Sequence, residues 1–273
     1  MVPVPNEASQ AFPSEQPLSG TDSSVPHSAR ITNYWLGGKD HYAVDREAGE
    51  RYRRTFPEIV DMSLAGRKFL ARAVGFLVDS GIRQFLDIGT GLPTADNTHE
   101  LAQRRAPESR IVYVDNDPMV LAHARVLLTS TPEGAADYLE ADLREPKAIL
   151  DGAARLLDYR EPVAVMLMGV VGHIADDDEL RGIIGELLDA VVPGSYLLVG
   201  DGTNLAPEQV SAQDTYNESG TEPYRLRSPE QLASLFDGLE LVEPGLVPAA
   251  RWRPEDDGSP SEVVSRCGLA RKP

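Results

Sequence analysis

Residues 85–94 read FLDIGTGLPT and join a short apolar run to a glycine turn. The run predicts a buried strand, and Gly89 and Gly91 let the backbone turn tightly and approach a ligand closely. A dinucleotide-binding loop carries a third glycine, but here Thr94 takes its place after Pro93, which has no N–H to donate. The loop therefore favours an anionic group smaller than pyrophosphate, such as an amino-acid carboxylate, at the following helix N-terminus. A two-glycine turn also occurs as a purely structural turn.

Short apolar runs and helical patterns alternate around this loop, which predicts right-handed crossovers and a parallel, doubly wound sheet. After residue 201 the alternation ends, and two apolar runs follow without a crossover helix, which predicts an antiparallel hairpin. The expected fold is α/β and Rossmann-like, with five parallel strands and an antiparallel C-terminal hairpin. The parallel strands are predicted at 83–88, 110–115, 137–142, 162–170 and 195–201, and the hairpin strands at 239–248 and 262–271.

The helices between these strands carry recognisable start signals. Thr94 is the predicted N-cap of the helix after the glycine loop. Asp117 followed by Pro118 opens the next helix, and residues 228–231 form a capping box for a short helix that ends near Gly238. The other predicted helices follow from apolar spacing. Predicted helices cover 44–54, 58–78, 95–105, 117–128 and 176–191.

Composition divides the chain into a tail and one domain. Residues 1–28 are rich in Pro, Ser and Gly with few large apolar groups, which predicts a disordered tail. Residues 29–273 are expected to form a single domain. Within it, residues 29–80 are predicted to form an N-terminal lid with helices, and the mostly polar residues 202–227, with weak helical character, an insertion on the substrate side. The alternative for this insertion is a disordered surface excursion.

The charge and cysteine content narrow the function classes. The 273-residue chain has a formal net charge of -17 and no Lys/Arg cluster beyond short helical faces, so a nucleic-acid partner is not expected. No apolar run reaches about 18 residues, and no signal peptide is recognisable, so neither a membrane span nor secretion is expected. Cys267 is the single cysteine, which fits a reducing, cytoplasmic compartment. The histidines show no metal-ligand spacing, so no metal is predicted.

Acidic residues follow three consecutive predicted strands. Asp87 precedes the glycine turn, Asp115 ends the second strand and Asp142 ends the third. Each has a structural alternative: Asp87 as a turn stabiliser, Asp115 as a helix cap beside Asp117, and Asp142 as a loop residue. Because ligands of such sheets bind at the carboxyl ends of the strands, three acids there favour a binding site.

The acids suggest one kind of ligand. Asp87 suits a cationic amine, Asp115 the two hydroxyls of a ribose, and Asp142 an adenine amino group. S-adenosylmethionine (SAM) carries an α-amino group, a carboxylate, a ribose and an adenine, and it has no phosphate. SAM is therefore the predicted cofactor.

Five stretches of the chain together form a specific pattern: RQFLDIGTGLPT (83–94), VYVDNDP (112–118), ADLREP (141–146), LGGKD…DR (36–46) and FDGLELVEPGLVP…RWRP (236–254). This pattern closely resembles a family of bacterial, actinobacterial-type SAM-dependent methyltransferases, from about residue 29 to the end. The wider resemblance is to class I methyltransferases, whose seven-stranded sheet ends in an antiparallel strand. The resemblance implies SAM as cofactor and leaves the methyl acceptor open.

The predicted cofactor-binding residues are assigned on that resemblance and on their positions after the strands. The first SAM motif is matched by Asp87, Gly89 and Gly91, the ribose and adenine edge by Asp115 with Asn116, and the adenine pocket by Asp142 with Leu143. Thr90 and Gly169 complete the predicted strand-end contacts.

His173 is the candidate catalytic residue, because methyl transfer needs a base when the acceptor must lose a proton. Its structural alternative is a polar residue at the start of a helix. Strand-four motifs of DNA-directed enzymes, Asp or Asn followed by two prolines, are absent after the fourth strand, which favours a small-molecule acceptor.

The N-terminal block around Trp35 is aromatic and charged, which predicts that it folds over the SAM site. In this hypothesis Gly37 and Gly38 approach the ligand, and Lys39 or Arg46 pairs with the methionine carboxylate. The alternative is a structural clasp, with Trp35 on the core and Lys39 paired to a surface acid. The predicted substrate contacts are Tyr34, Tyr216, Tyr224 and Arg225.

Three functions are compatible with these patterns. The first is a SAM-dependent methyltransferase that acts on a small molecule at oxygen or nitrogen. The second is a SAM-binding sensor or partner protein without turnover, and the third is a nicotinamide-dependent oxidoreductase. The missing third glycine and the terminal hairpin speak against the third.

Overall fold

The computed structural model describes residues 23–93, 96–120, 129–219, 221–254 and 264–273. In this part of the chain seven strands, numbered along the sequence, form one sheet in the order 3-2-1-4-5-7-6. They are β1 (Gln84–Ile88), β2 (Arg110–Asp115), β3 (Ala135–Glu140), β4 (Val163–Met168), β5 (Tyr196–Gly202), β6 (Glu240–Leu241) and β7 (Ser265–Arg271).

The strand directions confirm the predicted Rossmann-like sheet. Strands β1 to β5 run in parallel, and β7 lies between β5 and β6 and pairs antiparallel with both. Strand β6 is shorter than predicted, because a turn in which Gly245 N–H donates to Val242 O (2.9 Å) interrupts it. The chain returns to the sheet at Val247, which bridges Cys267 in β7.

The helices with described bounds are α1 (Ser28–Trp35), α2 (Ala43–Thr55), α3 (Ile59–Asp79), α4 (Thr98–Gln103), α5 (Pro146–Ala153), α6 (Asp177–Asp189), α7 (Pro207–Asn217) and α8 (Pro229–Ala233). Helices α2, α3, α6 and α8 lie where the sequence predicts them. The predicted cap at Asp117 also forms, because its Oδ1 accepts from Met119 N (2.9 Å) where a helical turn begins.

Four of the described helices differ from the prediction. The helix predicted over 95–105 begins at Thr98, because Asn97 caps it and donates its N–H to Glu100 Oε2 (2.7 Å). Thr94, the predicted cap, lies outside the described residues. Helix α7 occupies much of the insertion 202–227, where the sequence predicts only weak helical character, and α1 and α5 have no predicted counterpart.

Both faces of the sheet are covered, as its continuously apolar strands require. In β4, Val165 and Leu167 face a cluster formed with α5, α6 and α8, whereas Ala164 and Met166 face a cluster formed with α3 and α4. The result is a helix–sheet–helix sandwich with the carboxyl ends of the parallel strands at one edge.

Helices α1, α2 and α7 pack together beside this edge. Ile31, Tyr52, Ala212 and Tyr216 belong to one buried cluster, in which the rings of Tyr52 and Tyr216 meet edge to face with centroids 6.0 Å apart. The N-terminal helices and α7 therefore lie on the same side of the sheet edge. Among the described helices, none combines the length and apolar character that crossing a bilayer requires.

Candidate functional site

A cavity of about 300 Å³ lies at the carboxyl ends of β1, β2, β4 and β5. This volume is at the small end of the range typical of ligand pockets, about 300–1,000 Å³. The wall on the other side comes from α1, α2, α3 and α7 and from the segment that follows α7. The cavity thus occupies the position at which doubly wound sheets bind ligands.

The glycine loop forms one wall of this cavity. Gly89 has a φ of +73°, and its N–H donates to Val114 O (2.8 Å). A Cβ at Gly89 would lie 2.5 Å from the side chain of Val170, so this position needs glycine for space as well as for conformation. Gly91 has a φ of +64°, and its N–H donates to Asp115 Oδ2 (2.8 Å). The turn therefore ties the ends of β1 and β2 together.

Asp87 in β1 lies behind the loop and is 6 % exposed. Burial raises the pKa of its carboxyl to about 6, although the hydrogen bond from Thr98 Oγ1 (2.6 Å) and the positive charge of Arg67 oppose the shift. A buried carboxylate of this kind is stabilised by a cation that enters the cavity.

Asp115, the last residue of β2, is held by two backbone donors. Its Oδ2 accepts from Gly91 N (2.8 Å) and its Oδ1 from Asp117 N (3.0 Å). Burial raises the pKa of the Asp115 carboxyl despite these bonds. Each carboxylate oxygen has a second lone-pair site, so Asp115 can accept further hydrogen bonds from a ligand.

Asp142 follows β3 and meets Asn116, which follows β2. The Asn116 amide donates to Asp142 Oδ2 (3.5 Å), and Asp142 Oδ1 accepts from Arg144 N (2.8 Å). Leu143 between them is buried in the core. These side chains form the outer end of the cavity beside β2 and β3.

Most predicted site residues line this one cavity. Those that do are Asp87, Gly89, Thr90, Gly91, Asp115, Asn116, Asp142, Leu143, Gly169, His173, Tyr216 and Tyr224. Gly169 has a φ of +64° and open space where a Cβ would stand, so the chain leaves room for a ligand there.

Gly37, Gly38, Lys39 and Tyr34 are not among the lining residues. The two glycines end α1, with N–H groups that donate to backbone carbonyls of that helix, and Lys39 is exposed. Tyr34 donates its hydroxyl to Glu50 on α2. Other residues of α1, including Thr32 and Asn33, face the cavity instead.

Arg225 also lies outside this cavity and lines an adjoining one of about 660 Å³. Its guanidinium contacts Ala175 O and Asp177 Oδ2, so it joins the segment after α7 to the start of α6. Arg227 does the same from a fully buried position, donating to Asp177 Oδ1 (2.8 Å) and to two backbone carbonyls.

His173 lies between the two cavities and packs its ring edge to face on Tyr224, with centroids 4.7 Å apart. Its Nδ1 is 3.3 Å from Pro223 O, which can only accept, so Nδ1 carries the proton. The neutral ring then has its lone pair on Nε2. Burial lowers the pKa of His173, while the nearby Glu222 carboxylate opposes that shift.

Asp201, which is not among the predicted site residues, lies in β5 and lines the cavity. Its oxygen Oδ1 accepts from the Tyr224 hydroxyl (2.6 Å). The signal was present, because Asp201 ends an apolar strand in the same way as Asp115. Gln209 and Tyr52 also line the cavity and carry no local motif.

The charge of the lining suits a cationic ligand. It holds five carboxylates, Asp87, Asp115, Asp142, Asp201 and Glu222, and two guanidinium groups, Arg67 and Arg144. Arg144 is already paired with Asp142 and Glu222 at 3.2 Å. SAM brings an ammonium and a sulfonium, so its charges fit this lining better than those of a diphosphate nucleotide. Among the described residues no three or more His, Cys, Asp or Glu side chains form a metal-binding group.

Comparison with known proteins agrees with this chemistry. A family profile described as S-adenosyl methyltransferase matches residues 14–273. A DUF574 family protein from Streptomyces avermitilis MA-4680 is 44% identical, with a TM-score of 0.87 over 92% of this chain and 99% of that one. A candidate methyltransferase from Thermobifida fusca YX is 37% identical, with a TM-score of 0.84 over 91% and 95% of the two chains.

A curated relative, the carboxy-S-adenosyl-L-methionine synthase of Pseudomonas putida, is 26% identical over 169 residues. The match covers 60% of this chain and 64% of that enzyme, which is less than two thirds of its length. The family profile, in contrast, spans nearly the whole chain. The chain therefore belongs to the S-adenosyl methyltransferase family, with SAM as its cofactor, as the sequence motifs predict.

Proposed function

We propose that this protein transfers a methyl group from SAM to a small-molecule acceptor, at an oxygen or a nitrogen atom. The observation that carries the proposal is a single cavity lined by the acids after β1, β2 and β3 at one end and by Asp201 at the other. The acids at the first end suit the charges of SAM, and Asp201 at the other end is available to bind the methyl acceptor.

The cofactor half would hold SAM through residues after the first three strands. Asp115 would accept from the ribose hydroxyls, and Asn116, Asp142 and Leu143 would bound the adenine. Asp87 would face the ammonium group across the glycine loop. Bound SAM supplies an electrophilic methyl group on a sulfonium.

Arg67 is a better candidate than Lys39 for the methionine carboxylate. Its guanidinium lines the cavity and interacts electrostatically with Asp87, whereas Lys39 is exposed outside the lining. Arg67 also donates to Asp96 O (2.7 Å), which fixes the direction of its side chain.

The protein's own part in the reaction is to align the acceptor and to exclude water, since displacement at a methyl group needs little covalent help. We propose that residues 29–80 act as the lid of one domain, 29–273, and that residues 202–227 bound its acceptor side. His173 remains a predicted base, with Nε2 as the atom that would take a proton.

Calorimetric titration tests the cofactor assignment. SAM and its demethylated product S-adenosylhomocysteine (SAH) should both bind the full-length protein, and NADH should release no heat. Heat with NADH and none with SAM would overturn the proposal in favour of an oxidoreductase.

Mass spectrometry of the reaction products tests turnover. Incubation with SAM and a panel of small amines and alcohols should yield SAH and a methylated acceptor. Tight SAM binding without SAH in any reaction would instead favour a sensor. The relative's name motivates a second candidate, formation of a carboxylated SAM derivative, which a parallel incubation of SAM with carboxylic-acid donors would reveal in the same spectra.

A further inference from the structure

Asp201 has an unusual environment for a carboxylate in the core of the fold. It is 7 % exposed and lines the cavity. Its Oδ1 accepts from the Tyr224 hydroxyl (2.6 Å) and from Gly202 N (2.6 Å). Its Oδ2 is buried and makes no hydrogen bond, although the nearby backbone N–H of Gly172 also lowers the Asp201 pKa. A carboxylate oxygen left in this state is costly unless a ligand completes it.

Two further unpartnered polar atoms line the same cavity. Gln209 on α7 is 0 % exposed, and its side-chain Oε1 has no partner. Ser265 at the start of β7 is also buried, and its Oγ has none. These groups from β5, α7 and β7 all line one cavity, Asp201 from one face of the sheet and Gln209 and Ser265 from the other. Two of the three are pure acceptors, so the missing partner carries N–H or O–H donors.

No neighbouring charge compensates Asp201 directly. The ionisable groups around it are Tyr52 on α2, Tyr224 and Arg227 after α7, and Cys267 on β7. Arg227 lowers the Asp201 pKa only from a distance, because its guanidinium is bonded to Asp177 and to carbonyls. Burial outweighs these contributions and raises the pKa of Asp201 to about 6, so near pH 7 the carboxylate is charged and has no direct ion-pair partner among the described residues.

The remaining walls of this space are apolar or aromatic. They include Tyr52, Met62, Met168, Tyr216 and Leu226. Such walls suit a flat or apolar body and leave its polar head to the unpaired acceptors. We call the space bounded by these residues and by Asp201, Gln209 and Ser265 the acceptor chamber.

We infer that the acceptor chamber binds the methyl acceptor, a small molecule with an apolar body and an amine or hydroxyl head, and that Asp201 Oδ2 receives its proton. This rests on the proposed methyltransferase function. The acceptor's lone pair forms the bond to the methyl carbon, sulfur keeps the electron pair of the broken carbon–sulfur bond, and the acceptor's proton passes to Oδ2. Tyr224 is a positioning residue that holds Oδ1.

Binding measurements with three probes of one shape test this inference. The full-length protein is saturated with SAH and titrated with benzylamine, benzyl alcohol and benzoate, which differ only in the head group. Benzylamine or benzyl alcohol should bind, and Asp201→Asn should weaken that binding at least tenfold while SAH affinity changes less than about threefold. Glu208→Gln, an exposed acid-to-amide change one residue before Gln209, is the matched control and should have no effect.

A pH series separates a proton acceptor from a merely structural carboxylate. Benzylamine binding should weaken as the pH falls through about 6, where Asp201 takes up a proton. In Tyr224→Phe the midpoint should move to higher pH, because the lost hydrogen bond stabilised the charged form. Asp201→Asn should reduce this dependence to the part that Asp87 contributes, whose pKa is also raised to about 6.

The outcomes distinguish the inference from the proposed function. If the wild type does not bind SAH, the proposed function fails. If SAH binds but benzoate is preferred, none of the probes binds, or Asp201→Asn binds the donors as well as the wild type, the acceptor chamber is assigned wrongly while the cofactor site stands.

Discussion

The two ends of the cavity hold their acids in opposite ways. At the cofactor end, Asp115 accepts from two backbone N–H groups, and Asp87 accepts from the Thr98 hydroxyl. At the acceptor end, Asp201 leaves one buried oxygen unpaired, and Gln209 does the same. The first end is preorganised by its own loop, whereas the second leaves buried acceptors that a ligand or an ordered water can complete. Local motifs therefore encode the first end, and the tertiary fold assembles the second.

Replacing Asp115 should produce the largest effect on the cofactor end. Asp115→Ala removes an acceptor for two ribose hydroxyls and frees two loop N–H groups. At about 2 kcal/mol for each charged hydrogen bond, SAM affinity should fall roughly 1,000-fold. Calorimetry measures the loss, and Asp137→Ala, an exposed acid on β3, is the control. An unchanged affinity in Asp115→Ala would remove the ribose contact from the proposal.

Substituting Gly89 and Gly91 tests whether the glycine loop is held in one conformation by its backbone and by its contact with Val170. In Gly89→Ala the new methyl would lie 2.5 Å from Val170, so the variant should lose about 3 kcal/mol of unfolding free energy. In Gly91→Ala the nearest atom is 3.9 Å away, so only the left-handed backbone cost of about 1 kcal/mol remains. Urea denaturation measures both, and equal losses would show that the contact with Val170 is irrelevant.

The buried carboxylate of Asp201 should lower the free energy of unfolding by an amount that depends on pH. Because its pKa is raised from 3.8 to about 6, folded Asp201 holds a proton that the unfolded chain releases between these values. The free energy of unfolding therefore falls as the pH rises through this window. Asp201→Asn should gain about 2 kcal/mol more, relative to wild type, at pH 8 than at pH 4.

Denaturation curves at both pH values test this stability difference. Glu208→Gln, whose carboxylate is exposed, should show no comparable pH dependence relative to wild type. A stability gain in Asp201→Asn that is the same at pH 4 and pH 8 would contradict the cost assigned to the charge.

The smallest effect concerns the methionine carboxylate. Arg67→Met should weaken SAM binding about tenfold, the loss of one modest charged contact. It should leave 5′-methylthioadenosine, which lacks that carboxylate, nearly unaffected. Lys39→Ala should change SAM affinity less than about twofold, because Lys39 is exposed outside the cavity lining. A larger loss in Lys39→Ala than in Arg67→Met would restore the lysine to the site.

The grouping of the three acids in one cavity could be predicted because its signals are local. Strand β2 has the predicted bounds, and the cap at Asp117 forms as expected. Asp87, Asp115 and Asp142 lie within a few residues of the strand ends, so a parallel sheet brings them together whatever the helices do.

The acceptor end escaped prediction for a physical reason. The buried residues of α7 include Gln209 and Gln213 beside Ala212 and Tyr216, so the helix has no apolar stripe to reveal its period. Its buried face is polar because it borders a cavity. In the sequence Asp201 marks only the end of the predicted fifth strand, because the environment of its Oδ2 depends on the tertiary fold.

The buried guanidinium of Arg227 has a consequence for how molecules get in and out. It is bonded to Asp177 and to the carbonyls of Val171 and Ile174, so lifting that wall would strand a cation and three acceptors at once. Opening that wall is therefore costly, and ligand exchange is expected beside α1 and α2, which pack on α3 and α7. We therefore expect product release to depend on a movement of α1 and α2, while the segment that holds Arg227 stays in place.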